Sequence, residues 1–377
     1  MEKFNFSKVR CERIFKIMNG DFSPPFKMVL IPTNRCNLRC VFCPNSLPRI
    51  EGKFKRKNEL SKENWKRIVD EGLKLKVCEW SIIGGGEPFL RKDVVMYIVS
   101  KVKKSSYPTD VEIITNGTLI TKREVKQLVT LGLDRILFSI DAPTPSIHDS
   151  LRGARGAFQK VKRTVELFAT YKRILKKRKP YLKINMVINS LNFHKIPEMV
   201  KFAKSIGVQE LALHPMREYW EFIEEVKSLR IDGEQKKKLK EKLDEAVALS
   251  RKLGINLNLD MIRSEAGISV KNDGGGLRTV TISKKIHKTW CFEPFYSMLI
   301  DPEGNVAPCA PAGSGFKELN VKENSLRKIW LSEKLQHIRK ILMKGKPLEW
   351  CKKCGLLDMR ERIKNDLINF VGDDYEI

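Results

Sequence analysis

The chain has 377 residues and a formal net charge of +27, from 72 Lys and Arg against 45 Asp and Glu. A hydrophobic share of 42% and a charged share of 31% exclude a disordered chain and describe a globular protein with a charge-rich surface, long enough for one large α/β domain and a smaller one. No apolar run reaches the roughly eighteen residues of a membrane span, and residues 1–13 mix charges of both signs where a signal peptide is apolar, so the expectation is a cytoplasmic protein with no membrane span.

In chain order, residues 6–18 read as a lead-in helix, followed by a Pro-containing connection at 22–26. Short β-prone runs then alternate with amphipathic helical ones. The strands are expected at 28–32, 80–84, 111–115, 135–140, 181–188 and 210–213, and the helices at 61–75, 92–103, 121–131, 157–175 and 197–206. Six such units predict an α/β fold, a parallel sheet covered by helices and closed or partly closed as a TIM-like (β/α)6 barrel. The polar residues at the strands' C-terminal ends then face one mouth, and they include His214 after the sixth strand. A charged helix at 233–253, a strand at 255–259 and the glycine-rich 272–276 come next. Beyond a boundary near Ile286, β-prone runs at 296–300 and 305–310 flank Asp301-Pro302-Glu303-Gly304, a hairpin signal. One helix is expected from 325 to 343. The expected partition is 1–27 lead-in, 28–217 core barrel, 218–285 connection and 286–377 C-terminal cysteine domain.

Nine cysteines, an odd number clustered at metal-like spacings in a chain without a signal peptide, argue for metal-binding thiols rather than disulfides. Cys11 and Cys78 stand alone and read as small buried hydrophobes. Cys36, Cys40 and Cys43 lie within eight residues. Soft thiolates select iron-sulfur clusters, zinc or copper(I), and a cubane held by only three of them keeps one iron open to a small molecule. Cys291, Cys309, Cys351 and Cys354 make a second set, and four ligands close a site. A zinc ribbon has the same donor set as a closed cluster.

The C-x3-C-x2-C spacing, with Phe42 before the last cysteine, resembles the radical S-adenosylmethionine superfamily. That resemblance implies a [4Fe-4S] cluster on Cys36, Cys40 and Cys43 whose open iron chelates S-adenosylmethionine, cleaved by one electron to methionine and a 5′-deoxyadenosyl radical. Gly84-Gly85-Gly86-Glu87 after the second strand resembles the family's GGEP element and implies a hold on the methionine ammonium, helped by Glu87. Ser139-Ile140-Asp141 with His148-Asp149 and Arg152-Gly153 resembles an S-x-D...HD..RG pattern. It implies that Ser139 contacts the ribose, that Arg152 contacts the methionine carboxylate and that Asp141 belongs to the pocket, although Asp141 and His148 suit helix entry and packing equally. Asn116 is a further pocket residue, or an Asn-Gly turn, and Phe42 and Asn189 are candidate adenine contacts. The C-terminal set resembles the SPASM/twitch extension. With no cysteine after Cys354 it fits the shorter, single-cluster twitch form, in a spacing similar to that of 2-deoxy-scyllo-inosamine dehydrogenase, and implies one auxiliary [4Fe-4S] cluster.

The expected function is a radical SAM oxidoreductase or maturase that abstracts a substrate hydrogen and oxidises the substrate radical through the auxiliary cluster. The short lead-in favours a small molecule or cofactor precursor over a peptide, and a ferredoxin- or flavodoxin-type reducing partner is expected. A peptide-modifying maturase is the alternative. From another class stands a zinc and nucleic-acid-binding protein, motivated by the net charge and the basic stretch 171–179. Such a run is more often a solvated helix end, and a Lys/Glu-rich composition also suits a hyperthermophile's ion-pair surface.

Overall fold

The computed structural model describes residues 4–43, 58–216, 224–259, 262, 284–313, 316–354 and 357–374. The glycine-rich stretch 272–276 and the boundary at 217/218 lie outside them. Helix α1 (Phe6–Met18) leads to β1 (Lys27–Leu30). There follow α2 (Lys62–Lys74), β2 (Glu79–Ile82), α3 (Lys92–Lys103), β3 (Asp110–Thr115), α4 (Lys122–Leu131), β4 (Arg135–Ser139), α5 (Pro145–Arg152), α6 (Ala157–Ile174), β5 (Tyr181–Ile188), α7 (Ile196–Ser205), β6 (Glu210–Pro215), α8 (Gly233–Leu253), β7 (Asn256–Asn258), β8 (Ser297–Ile300), β9 (Val306–Ala307), α9 (Glu333–Met343) and α10 (Leu357–Asp374).

The strands form one sheet in the order β7-β6-β5-β4-β3-β2-β1-β8-β9, parallel throughout except for the final β8–β9 hairpin. From β1 to β7 each strand adds beside its predecessor. Right-handed crossovers that always step in one direction place the crossover helices between the strands on one face, and the sheet curls as a partial TIM-like barrel around the other. Burial along β5 shows the two faces: Leu182, Ile184, Met186 and Ile188 are buried, whereas Tyr181, Lys183, Asn185 and Val187 are half-buried on the barrel side.

That inner face is charged near the strands' entry ends. Arg135 reaches Asp110 at 2.7 Å and Glu112 at 3.0 Å, Lys183 reaches Glu210 at 2.8 Å, and Lys27 approaches Glu79 at 4.0 Å. Cross-strand pairs of opposite sign stabilise neighbouring strands and fill the barrel floor with polar groups already paired.

Two features differ from the sequence expectation. The helix expected over 325–343 is broken: Leu326–Trp330 ends, and Ser332 starts α9 afresh by accepting the Leu335 N–H. A serine in mid-pattern is a good N-cap, and here the cap outcompetes continuation. The hairpin strand β8 lies parallel beside β1 in the register Lys27↔Ser297 to Leu30↔Ile300, so the C-terminal stretch continues the barrel sheet. Arg10 of α1 and Asp366 of α10, at 2.6 Å, join the two ends of the chain.

Candidate functional site

The cysteine loop leaves β1 and is pinned on two sides. On one side the GGEP turn at the end of β2 meets it: the Gly86 N–H donates to Thr33 O at 3.1 Å and the Glu87 N–H to Arg35 O at 2.8 Å. A Cβ on Gly86 would stand 1.9 Å from Arg35 O, so only glycine permits this approach. On the other side lies the end of α5, where the Arg39 N–H donates to Arg152 O and the Val41 N–H to Leu151 O. Gly153 closes α5 with φ +60°, and a Cβ there would stand 2.2 Å from Arg39 O.

Between these clamps the three thiols share one electrostatic neighbourhood. The Leu38 N–H lies 3.5 Å from Cys36 Sγ, Asn116 Nδ2 lies 4.0 Å from the same sulfur, and Arg152 Nη1 lies 3.7 Å from Cys40 Sγ. Burial pushes Cys36 up to about 11 and raises Cys40. Without a metal the Cys36 and Cys40 thiols keep their protons, and a soft metal must displace them. A sulfur-only donor set ringed by N–H donors and a guanidinium fits an iron-sulfur cluster.

Several residues expected to touch cofactor also make contacts within the protein. Arg152 Nε lies 2.7 Å from Asp141 Oδ2, both side chains are buried, and the guanidinium packs 5.4 Å from the ring of Phe42. Burial by itself would lower Arg152, and the Asp141 carboxylate reverses this, raising it above its ordinary value. Asp141 Oδ1 also accepts the Val187 N–H at 3.0 Å. His148 Nδ1 accepts the Asp141 N–H, and burial followed by the Arg152 charge lowers the imidazole to about 3, so it stays neutral. Asp149 accepts the N–H groups of Gly156 and Phe158 and starts α6. The S-x-D...HD..RG pattern thus also braces the cysteine loop, with one guanidinium nitrogen directed at Cys40.

Glu87 is likewise committed. Its carboxylate accepts Thr115 Oγ1 at 2.7 Å, the Phe89 N–H at 3.0 Å and the Asn116 N–H at 2.8 Å, and burial raises its pKa. It ties the β2 turn to the end of β3. Asn189 is fully buried in a turn, where its amide serves Val187 O and the Leu191 N–H. Phe42 is buried beside Leu38, Leu151 and Ala157. Gly84, Gly85, Gly86 and Ser139 keep partly open positions at the mouth, and His214 is half-buried on β6. Asn116 faces the loop, its Nδ2 donating to Asn37 Oδ1 at 3.0 Å. Sequence reading missed three positioning residues: Glu59, which accepts Thr33 Oγ1 and pairs with Arg35; Asn37; and Asn192, which donates to Asp141 O and Val187 O. Asn37 sits at a variable position of the cysteine motif, whereas Glu59 and Asn192 lie in no motif and only the fold brings them to their partners.

The second cysteine set also comes together. Cys291, Cys309, Cys351 and Cys354 line one cavity whose walls include Trp290, Phe292, Leu348 and Trp350. Burial pushes Cys291 and Cys309 up to about 12, and the Glu293 N–H lies 3.5 Å from Cys291 Sγ. All four thiols line this one space. An apolar, sulfur-lined cavity suits a cluster.

Residues 30–203 match the Radical SAM superfamily and residues 291–355 match SPASM, an iron-sulfur cluster-binding domain. The chain thus carries a radical SAM domain followed by a C-terminal SPASM domain, which imply a [4Fe-4S] cluster with S-adenosylmethionine and auxiliary iron-sulfur clusters. It is similar to the PqqA peptide cyclase of Granulibacter bethesdensis, at 29% identity over 52% of this chain and 48% of that protein. It is also similar to the tungsten-containing aldehyde ferredoxin oxidoreductase cofactor-modifying protein of Pyrococcus furiosus, at 24% identity over 91% of this chain and 90% of that one. Thus the chain spans about half of the first relative and nearly all of the second. Among solved structures it shares its fold with Streptococcus suis SuiB bound to S-adenosylmethionine, with a TM-score of 0.65 and 20% identity over 91% of this chain and 74% of that one. Among the described residues no helix is long and apolar enough to cross a membrane.

Proposed function

We propose that the chain uses S-adenosylmethionine at the Cys36, Cys40 and Cys43 site to abstract a hydrogen atom from a biosynthetic substrate, a cofactor precursor or other small molecule, and passes the remaining electron to one auxiliary [4Fe-4S] cluster on the four C-terminal cysteines. The observation that carries this reading is the pairing of a three-thiol loop at the sheet mouth with a separate four-thiol cavity. The partition 1–27, 28–217, 218–285 and 286–377 follows the same division of labour. Bound at the loop, the cluster and S-adenosylmethionine supply reductive cleavage to methionine and a 5′-deoxyadenosyl radical.

The chain's own residues do the rest. The backbone of Gly84, Gly85 and Gly86 lines the approach to the open ligand position. Ser139 and Asn116 offer polar groups at the ends of β4 and β3. Arg152 and Phe42 hold Cys40 from below. Loss of a hydrogen atom, then of one electron and one proton, is a two-electron oxidation of the substrate, and it yields a double bond or a new linkage.

A cofactor precursor is favoured by the near full-length similarity to the Pyrococcus furiosus cofactor-modifying protein. A peptide substrate is the second reading, supported by the similarity to a peptide cyclase. Anaerobic reconstitution tests the core: about eight irons per chain, absorbance near roughly 400 nm bleached on reduction, and 5′-deoxyadenosine formed with dithionite. Stoichiometric zinc without iron uptake would refute it. Stimulation of 5′-deoxyadenosine formation by a peptide fraction, and not by a small-molecule fraction, would select the second reading.

A further inference from the structure

Two charged side chains line the cavity of the C-terminal cysteines, Glu293 and Arg360. Arg360 lies on α10, beyond the residues that match the SPASM domain. Its guanidinium carbon stands 4.7 Å from the ring centre of Trp290, the residue directly before Cys291. Its Nη2 lies 3.3 Å from Glu361, while its Nε is buried and, among the described residues, has no hydrogen-bond partner. Its charge acts on Cys351. A buried donor left without an acceptor is costly. What would satisfy it in this cavity is a sulfur acceptor.

We propose that Arg360 is a positioning residue for the auxiliary cluster: its Nε–H donates to a sulfur of that cluster or of Cys351, and its charge holds the cluster's reduction potential up. This rests on the reading of the four cysteines as cluster ligands. Reduction adds one electron, supplied in the assay by mediators poised with dithionite, and moves no proton. The site becomes more negative by one charge, and a hydrogen-bonded cation stabilises that state most. Trp290 fixes the guanidinium plane, and Glu361 keeps the opposite edge occupied.

The test uses the full chain carrying Cys36→Ala, Cys40→Ala and Cys43→Ala, so that iron can sit only at the C-terminal site. Iron content and the midpoint potential from an EPR-monitored titration are read for this parent, for Arg360→Met, for Arg360→Lys and for Lys364→Met. The last removes the same charge from the same helix away from the cavity wall. Arg360→Met should keep its iron and shift to a more negative potential by at least tenfold in the reduced-to-oxidised ratio, which is 59 mV for one electron. Arg360→Lys should shift less in the same direction, and Lys364→Met should match the parent. An iron-loaded Arg360→Met at the parent's potential overturns the proposal, as does an equal shift in Lys364→Met. A parent that takes up no iron overturns the auxiliary-site reading and this proposal together. If Arg360→Met folds by circular dichroism but loses its iron, an iron-loaded Arg360→Lys with a lowered potential still supports the proposal. Loss of fold in both Arg360 variants overturns a role specific to the cluster.

Discussion

Asp141 and Arg152 form a buried ion pair under the cysteine loop, with backbone and ring contacts on both partners. Breaking such a pair from one side leaves a buried charge uncompensated, at a cost of about 3–5 kcal/mol. Arg152→Met is therefore expected to lower the chemical-denaturation stability of the apo chain by that amount and to reduce iron uptake. Arg152→Met with Asp141→Asn should recover part of the stability, because no lone charge remains. If the single variant is as stable as the parent, the pair does not brace the loop. Gly86→Ala belongs to the same scale. With Arg35 O at 1.9 Å from the added methyl, the turn and the loop must separate, and the variant is expected to lose iron from the first site while retaining it at the second. The sequence motifs identified these residues as belonging together, but it could not divide them between cofactor and scaffold. The S-x-D...HD..RG letters are compatible with either use, and only the 2.7 Å approach of Arg152 to Asp141 shows that one guanidinium face is already taken.

The strands were readable because half of each faces a polar lumen and half a helix layer, so a period of two survives in β3 and β5. What local pattern does not encode is the partner of a strand. The pairing of β8 with β1 joins residues some 270 positions apart, and nothing in either run names the other. The charged floor was unreadable for the same reason, since Asp110, Glu112 and Arg135 meet only across β3 and β4. It has a measurable consequence. Burial, reinforced by Asp134, Glu79 and Glu112 and opposed by Arg135, pushes Asp110 from 3.8 up to about 6. Between those values the folded chain binds more protons than the unfolded one. The contribution of Asp110 is thus present below about pH 4 and is lost as pH rises through 6. Relative to Asp110→Asn, the parent should lose roughly 3 kcal/mol of stability across that window and run parallel to it at higher pH. Parallel curves from pH 4 upward would show that Asp110 ionises normally.

At the scale of the molecule, β1 separates the two thiol sets. The Phe26 N–H at its entry donates to Tyr296 O, in the segment that follows Cys291, and beyond its far end the chain runs into Cys36. Each set has its own supports: the GGEP turn and α5 for the first, Trp290, Trp350 and α10 for the second. Damage at one should therefore leave the other assembled. Cys36→Ala, Cys40→Ala and Cys43→Ala together are expected to abolish 5′-deoxyadenosine formation while the chain keeps about half of roughly eight irons. Cys351→Ala with Cys354→Ala is expected to lose the other half and still form some 5′-deoxyadenosine, now uncoupled from product, because cleavage needs only the first site whereas disposal of the substrate's electron needs the second. Iron content by chelation assay and 5′-deoxyadenosine by chromatography distinguish the two variants. Equal loss of both quantities in both would mean that the thiol sets act as one unit, and the division of roles proposed for them would fall.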